Sequence, residues 1–177
     1  MATEGSPLGT AKRFTGWYIV AAILFIILGM LAIIEPYVAG LGVAILVGWL
    51  LVFGGIAHFV MAFQGGSAKR VTWQVVLGIV FLLGGVYMLM NPVLTLNTLT
   101  LLLASVILVT GIFEIIAYFQ IEQASGWLLV NAIAAVVVGA LIWIHWPSSS
   151  VWAIGTLVGI NLLFTGVARL KIGRAHV

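Results

Sequence analysis

One layout of four residues occurs three times in this chain: a tryptophan, a glycine twelve residues on, a proline shortly after, and a second glycine nineteen residues past the proline. The copies are Trp17, Gly29, Pro36, Gly55; then Trp73, Gly85, Pro92, Gly111; then Trp127, Gly139, Pro147, Gly166. An internal repeat of this kind is one supersecondary unit, and the fold is the stacking of such units. Between the markers the chain is almost wholly apolar, so the unit reads as a pair of apolar helices.

With 64% hydrophobic and 6% charged residues, the chain falls far short of the roughly one-quarter charged residues of soluble domains. Its solvent is therefore a bilayer. Crossing about 30 Å of hydrocarbon takes about 20 helical residues, and six runs of this kind are expected near 15–34, 37–63, 73–90, 93–119, 127–146 and 148–169. A transmembrane barrel would instead show segments of about ten residues alternating apolar and polar. Ile19 to Leu28 and Ala132 to Leu141 are apolar all round, which selects helices. The expected fold is an all-α membrane protein, six transmembrane helices arranged as three tandem parallel helical-hairpin repeats.

The domain layout follows. Residues 1–13 lack periodicity and read as a disordered cytoplasmic tail. Residues 14–171 form one membrane domain, with repeats near 14–66, 70–122 and 124–171. The run after Lys12 and Arg13 is too long for a signal-peptide core, so no cleaved leader is expected. Residues 172–177 spell IGRAHV, the translation of a widely used short-read sequencing adapter; they are expected to be non-native, which leaves Arg174 and His176 without meaning.

Charge sets the expected orientation. Lys12 and Arg13, Lys69 and Arg70, and Arg169, Lys171 and Arg174 all fall on one side of the membrane, and the other side holds no Lys or Arg. The positive-inside rule puts both termini in the cytoplasm, and the split survives at six to nothing without Arg174. The basic balance is thus a topology signal, satisfied by anionic lipid heads, and calls for no nucleic-acid partner.

Each expected hairpin turns over a short connection: Glu35-Pro36, Asn91-Pro92, and Trp146-Pro147 followed by three serines. Proline suits the first turn of a helix, where its missing N–H has no partner to lose, so the three prolines are expected to begin the second helix of each pair. The other connections, 64–72 and 120–126, are longer and more polar. Two crossings per unit make successive units point the same way. Such parallel repeats lack the exchangeable halves of an inverted-repeat transporter.

Small residues fall in register. Five and twelve residues after each tryptophan stand Ala22 and Gly29, Gly78 and Gly85, Ala132 and Gly139; twelve and nineteen after each proline stand Gly48 and Gly55, Ala104 and Gly111, Gly159 and Gly166. A step of seven returns to nearly the same helix face. Stripes of small residues let backbones approach closely, which matters in lipid because burial from water no longer drives helix association. The stripes are read as packing seams. Trp17, Trp73 and Trp127, with Trp146 and Trp152 at the opposite end, read as interfacial aromatic belts.

The Gly16-Trp17 and Gly126-Trp127 openings, with Thr72-Trp73 as a variant, the mid-helix glycine, the Glu/Asn-Pro turn and the late glycine resemble the HdeD family. That resemblance covers residues 14–171. It implies a bacterial inner-membrane protein built from a short two-helix repeat of unknown function, in a family whose best-known member is linked to acid resistance. It brings no catalytic or binding residues with it.

Polar groups inside a membrane cost roughly 2.5–3.5 kcal/mol each on insertion scales, so each needs a reason. Twenty-two residues after each turn proline stand His58, Glu114 and Arg169. Two readings are open. The three meet as one intramembrane polar cluster, with Glu114 pairing Arg169 and His58 supplying a group that responds to cytoplasmic acid; or each lies near a helix end and snorkels to water. Glu35 reads as a solvated turn residue capping the helix begun at Pro36, Asn131 and Asn161 as interhelical hydrogen-bonding groups, and His145 as a lone interfacial histidine.

No catalytic, cofactor-binding or metal site is expected. Zero cysteines remove thiol chemistry and cysteine metal sites, and four acidic residues with no nucleotide loop or H-E-x-x-H leave little for catalysis. The expected function is a non-enzymatic membrane protein of the HdeD type, in acid or envelope stress tolerance. The alternatives are a small-solute or proton channel or transporter using His58, Glu114 and Arg169, and an assembly partner for membrane proteins. The expected partners are the lipid bilayer and either a second copy or another membrane protein.

Overall fold

The computed structural model describes the backbone of residues 7–121 and 125–175, and side chains within 19–121 and 125–171. It is all-helical over these residues: α1 (Pro7–Ile34), α2 (Pro36–Phe63), α3 (Ala68–Met90), α4 (Pro92–Gln120), α5 (Gly126–Ile144), a short 3-10 turn (Ser148–Val151) and α6 (Ala153–Ala175). Helices α2 to α5, and the segment Ser148–Lys171, are long and apolar enough to cross a membrane, and α1 adds the shorter apolar stretch Ile19–Ile34. The outward faces are apolar as well: Leu83, Phe113 and Phe164 are 67%, 65% and 74% exposed, an arrangement that suits hydrocarbon and not water.

Helix α1 begins at Pro7, inside the segment read as a tail, and α3 begins at Ala68, inside the segment read as a connection. The link between α2 and α3 is correspondingly tight, with Gly65 at φ 83° and Gly66 at φ 139°. Those left-handed conformations are open to glycine at little cost.

Two of the three proline turns are alike. The Glu35 N–H closes α1 on the Leu31 carbonyl while its own carbonyl accepts from Ala39; Asn91 does the same between Tyr87 and Thr95. Pro36 and Pro92 are then the first residues of α2 and α4, as expected. Pro147 does not begin α6, which starts at Ala153. The cause is one extra residue. Helices α1, α3 and α5 all end seventeen residues after their tryptophans, but proline follows two residues later in the first two repeats and three later in the last. Serine chemistry fills the gap: Ser148 Oγ donates to the His145 carbonyl and Ser149 Oγ to the Ile142 carbonyl, at 2.5 and 2.8 Å. Short hydroxyl side chains compete for backbone carbonyls in this way and favour turns over helix.

Contacts divide the chain into two compact units, one of α1, the first turn of α2, and α6, the other running from Gly40 to Ala153. Inside them, every residue of the small-residue stripes is buried: Ala22, Gly29, Gly48, Gly55, Gly78, Gly85, Ala104, Gly111, Ala132, Gly139, Gly159 and Gly166. The stripes face one another in three antiparallel pairs. A Cβ built on Gly85 would stand 2.8 Å from the Gly48 carbonyl oxygen, and one on Gly55 2.9 Å from that of Gly78, so α2 and α3 touch backbone to backbone. Gly111 meets the Ala132 carbonyl at 2.9 Å between α4 and α5, and Gly29 meets that of Gly159 at 2.8 Å between α1 and α6. The helices that the asparagine-proline turn joins are not the ones that pack most closely. Helix α4 lies against α5 along much of its length and touches α3 at few places.

Several polar groups of the second unit are paired, while the buried Ser150 hydroxyl has no partner among the described residues. Buried Thr95 and Thr100 donate to the Met88 and Leu96 carbonyls at 3.1 and 2.8 Å. The indoles of Trp143 and Trp146 reach α4, donating to Ser105 Oγ at 3.0 Å and to the Asn97 carbonyl at 2.9 Å. Such pairing removes the penalty of an unsatisfied donor in hydrocarbon.

Candidate functional site

The position twenty-two residues after each turn proline lies one turn past the second glycine of the stripe, at the seam of a helix pair. On α2 this is half-buried His58. Its Nδ1 is 2.5 Å from Oε1 of Gln74 on α3, and its ring meets that of Phe81 edge-on, centroids 5.2 Å apart and planes at 67°. A carboxamide oxygen only accepts, so Nδ1 carries the hydrogen and Nε2 is left to take another partner.

On α4 the position is half-buried Glu114. Asn131 on α5 donates Nδ2–H to its Oε2 at 2.8 Å, the interhelical bond expected of Asn131. On α6 it is exposed Arg169, whose guanidinium carbon lies 4.6 Å over the centre of the Phe25 ring on α1. The ring face is the negative pole of the aromatic quadrupole and attracts that cation.

The repeat organises the partners too. Phe25 and Phe81 both stand eight residues after their tryptophans, and the third residue at that place is Ala135. Aromatic rings thus accompany the arginine and the imidazole. The carboxylate, which a ring face would repel, has only a methyl side chain at the corresponding place and an amide from another turn. Each of His58, Glu114 and Arg169 therefore reaches across its own helix pair, and the partner described for each is none of the other two.

Gln74, Phe25 and Phe81 were not among the residues expected to matter. The two phenylalanines carried a signal, their shared spacing from tryptophan. Gln74 carried none, because it stands just after what reads as a connection. Glu35 serves its turn through its backbone carbonyl, 3.1 Å from the Ala39 nitrogen, and His145 Nδ1 lies 2.9 Å from the Leu141 carbonyl of its own helix.

Apolar helices, paired glycine to carbonyl through a repeated stripe and carrying isolated polar groups satisfied across the seams, define a multi-pass membrane protein built on an internal repeat. The chain belongs to the HdeD family. The family model described as a short repeat of unknown function (DUF308) matches residues 20–90 and 76–144. The two matches begin fifty-six residues apart, the same step that separates Trp17 from Trp73. They end at Met90 and Ile144, the last residues of α3 and α5, so each encloses one close pair.

Protein HdeD of Escherichia coli strain K12 is 30% identical over 162 residues, covering 88% of this chain and 84% of the relative. The proteins of that name from Escherichia coli O157:H7 and Shigella flexneri match to the same extent. No solved structure matches this chain.

Proposed function

We propose that this chain is a non-enzymatic protein of the bacterial inner membrane, with both termini cytoplasmic and three tandem two-helix repeats pointing the same way, and that it supports tolerance of acid or envelope stress. The observation that carries the reading is how the helix pairs are held. Gly48 with Gly85, Gly55 with Gly78 and Gly29 with Gly159 bring backbone against backbone, and contacts of that kind contain nothing that acid can protonate. The His58 to Gln74 bond uses the imidazole as donor, a role it keeps when a second proton arrives. Membership in the HdeD family, with the acid-resistance link that the resemblance implies, agrees with helix pairs whose closest contacts are backbone against backbone.

A second reading draws on Nε2 of His58, which has no hydrogen-bond partner among the described residues. If His58, Glu114 and Arg169 meet in the membrane, they form a polar path for protons or a small solute. One experiment separates the two. Purified protein in sealed liposomes with an acid outside is expected to pass no more protons than empty liposomes, and cells lacking the protein are expected to survive acid challenge less well until it is restored. Proton flux that disappears in His58→Ala and Glu114→Ala would overturn the first reading in favour of the second.

A further inference from the structure

The α1·α6 pair differs from α2·α3 in one respect that the repeat makes easy to see. In α2·α3 the ring of Phe59 closes the seam beside Gly78, 3.0 Å from where a Cβ on that glycine would stand. The residue of α6 in register with Phe59 is Leu170, and the residue of α1 in register with Gly78 is Ala22. Beside Leu170 lies a cleft of about 340 Å³, lined also by Ile26, Val167 and Lys171.

Its lining is three aliphatic side chains and one ammonium. In register with Lys171 the other repeats carry Val60 and Ile116, 53% and 46% exposed on outward helix faces. A cation has thus replaced an aliphatic residue beside this cleft. Two residues away Arg169 is held over the Phe25 ring, so a second cation has a fixed place on the same pair. Neither α1 nor α6 contains an Asp or Glu in its sequence. The pair is purely cationic, and its charge calls for an anion from outside the two helices.

We propose that the α1·α6 cleft binds one anionic phospholipid of the surrounding bilayer, its phosphate on Lys171 and an acyl chain along Ile26, Val167 and Leu170, with Arg169 adding positive charge to the same helix pair. The acyl chain gains little by leaving other lipid tails for an aliphatic cleft. Selectivity therefore comes from the phosphate, for which basic pockets between membrane helices are suited, and the cleft supplies position.

The test is lipid binding by the purified full chain, followed by native mass spectrometry with phosphatidylglycerol, phosphatidylcholine or soluble glycerol phosphate. Phosphatidylglycerol is expected to bind more tightly than phosphatidylcholine, and Lys171→Gln to weaken it about fivefold, the effect of one basic residue near a membrane surface. Leu170→Phe, which rebuilds the closure seen at Phe59, is expected to remove the preference for phosphatidylglycerol. Leu170→Ala, which keeps the cleft open, is expected to retain it and stands in should the phenylalanine variant fail to fold. Equal binding of the two lipids, or an unchanged preference in Lys171→Gln, would overturn the proposal. So would competition by glycerol phosphate at the same concentration as the lipid, which would make the ligand a free phosphate.

Discussion

Gly85 and Gly84 are neighbours on α3 with opposite surroundings: a Cβ on Gly85 would stand 2.8 Å from the Gly48 carbonyl oxygen and 2.8 Å from the Val52 nitrogen, whereas one on Gly84 would meet nothing within 4 Å. Two of the three nearest atoms at Gly85, the Gly48 oxygen and the Val52 nitrogen, are backbone and cannot swing aside. Gly85→Val is therefore expected to push α2 from α3 at a cost of about 1–3 kcal/mol, the usual range for overpacking. Gly84→Ala is expected to stay within about 0.5 kcal/mol of the parent chain. Unfolding free energies in detergent or bicelles check both. Equal losses at the two sites would mean that the Gly48 to Gly85 approach is not what holds the pair.

His58 and Gln74 are expected to be energetically coupled. Interhelical hydrogen bonds in membrane proteins contribute about 0.6 kcal/mol on average and about 1.7 at most, so a double-mutant cycle with His58→Ala and Gln74→Ala should return a value in that range. A second measurement reads the same contact without energies. With Gln74 accepting, the neutral imidazole carries its hydrogen on Nδ1, and nitrogen NMR of the ring should report that tautomer. In Gln74→Leu the preference should be lost. A wild-type ring protonated at Nε2 would contradict the assignment.

How much of this was legible in the sequence depends on the kind of force involved. All twelve stripe positions are buried as read, because a glycine spaced by seven on an apolar helix has one physical use in lipid, close backbone approach. Which stripe meets which was not legible. The proline turns suggest that α3 should lie on α4, yet α4 lies mainly on α5, since the stripes present one face each and that face is turned to the helix across the longer connection. The break at Pro147 was written in the chain as a single added residue, but its outcome depended on serine hydroxyls finding the His145 and Ile142 carbonyls. For His58, Glu114 and Arg169 the shared register was legible. Their partners were not: Gln74, Asn131 and Phe25 stand one, four and eight residues after their tryptophans, and a repeat argument looks for the same offset each time.

The proposed orientation is open to a clean labelling test, because the chain has no cysteine and any introduced thiol is read without background. Ser67, exposed before α3, makes no side-chain cap, and Ser148 is exposed after α5. Three helices, α3 to α5, lie between the two serines, and every Lys and Arg falls on the Ser67 side by sequence. With that side cytoplasmic, a membrane-impermeant maleimide added to intact cells, their outer membrane made permeable, should label Ser148→Cys at once. Ser67→Cys should react only after the inner membrane is opened. Ser67→Cys loses no cap and should keep wild-type thermal stability, whereas Ser148→Cys gives up the hydroxyl bond to the His145 carbonyl and should cost about 0.5–1.5 kcal/mol. The reverse labelling order would place the cationic side outward, against the charge bias that orients most membrane chains. Equal labelling of the two thiols from one side would mean that α3 to α5 do not cross an odd number of times.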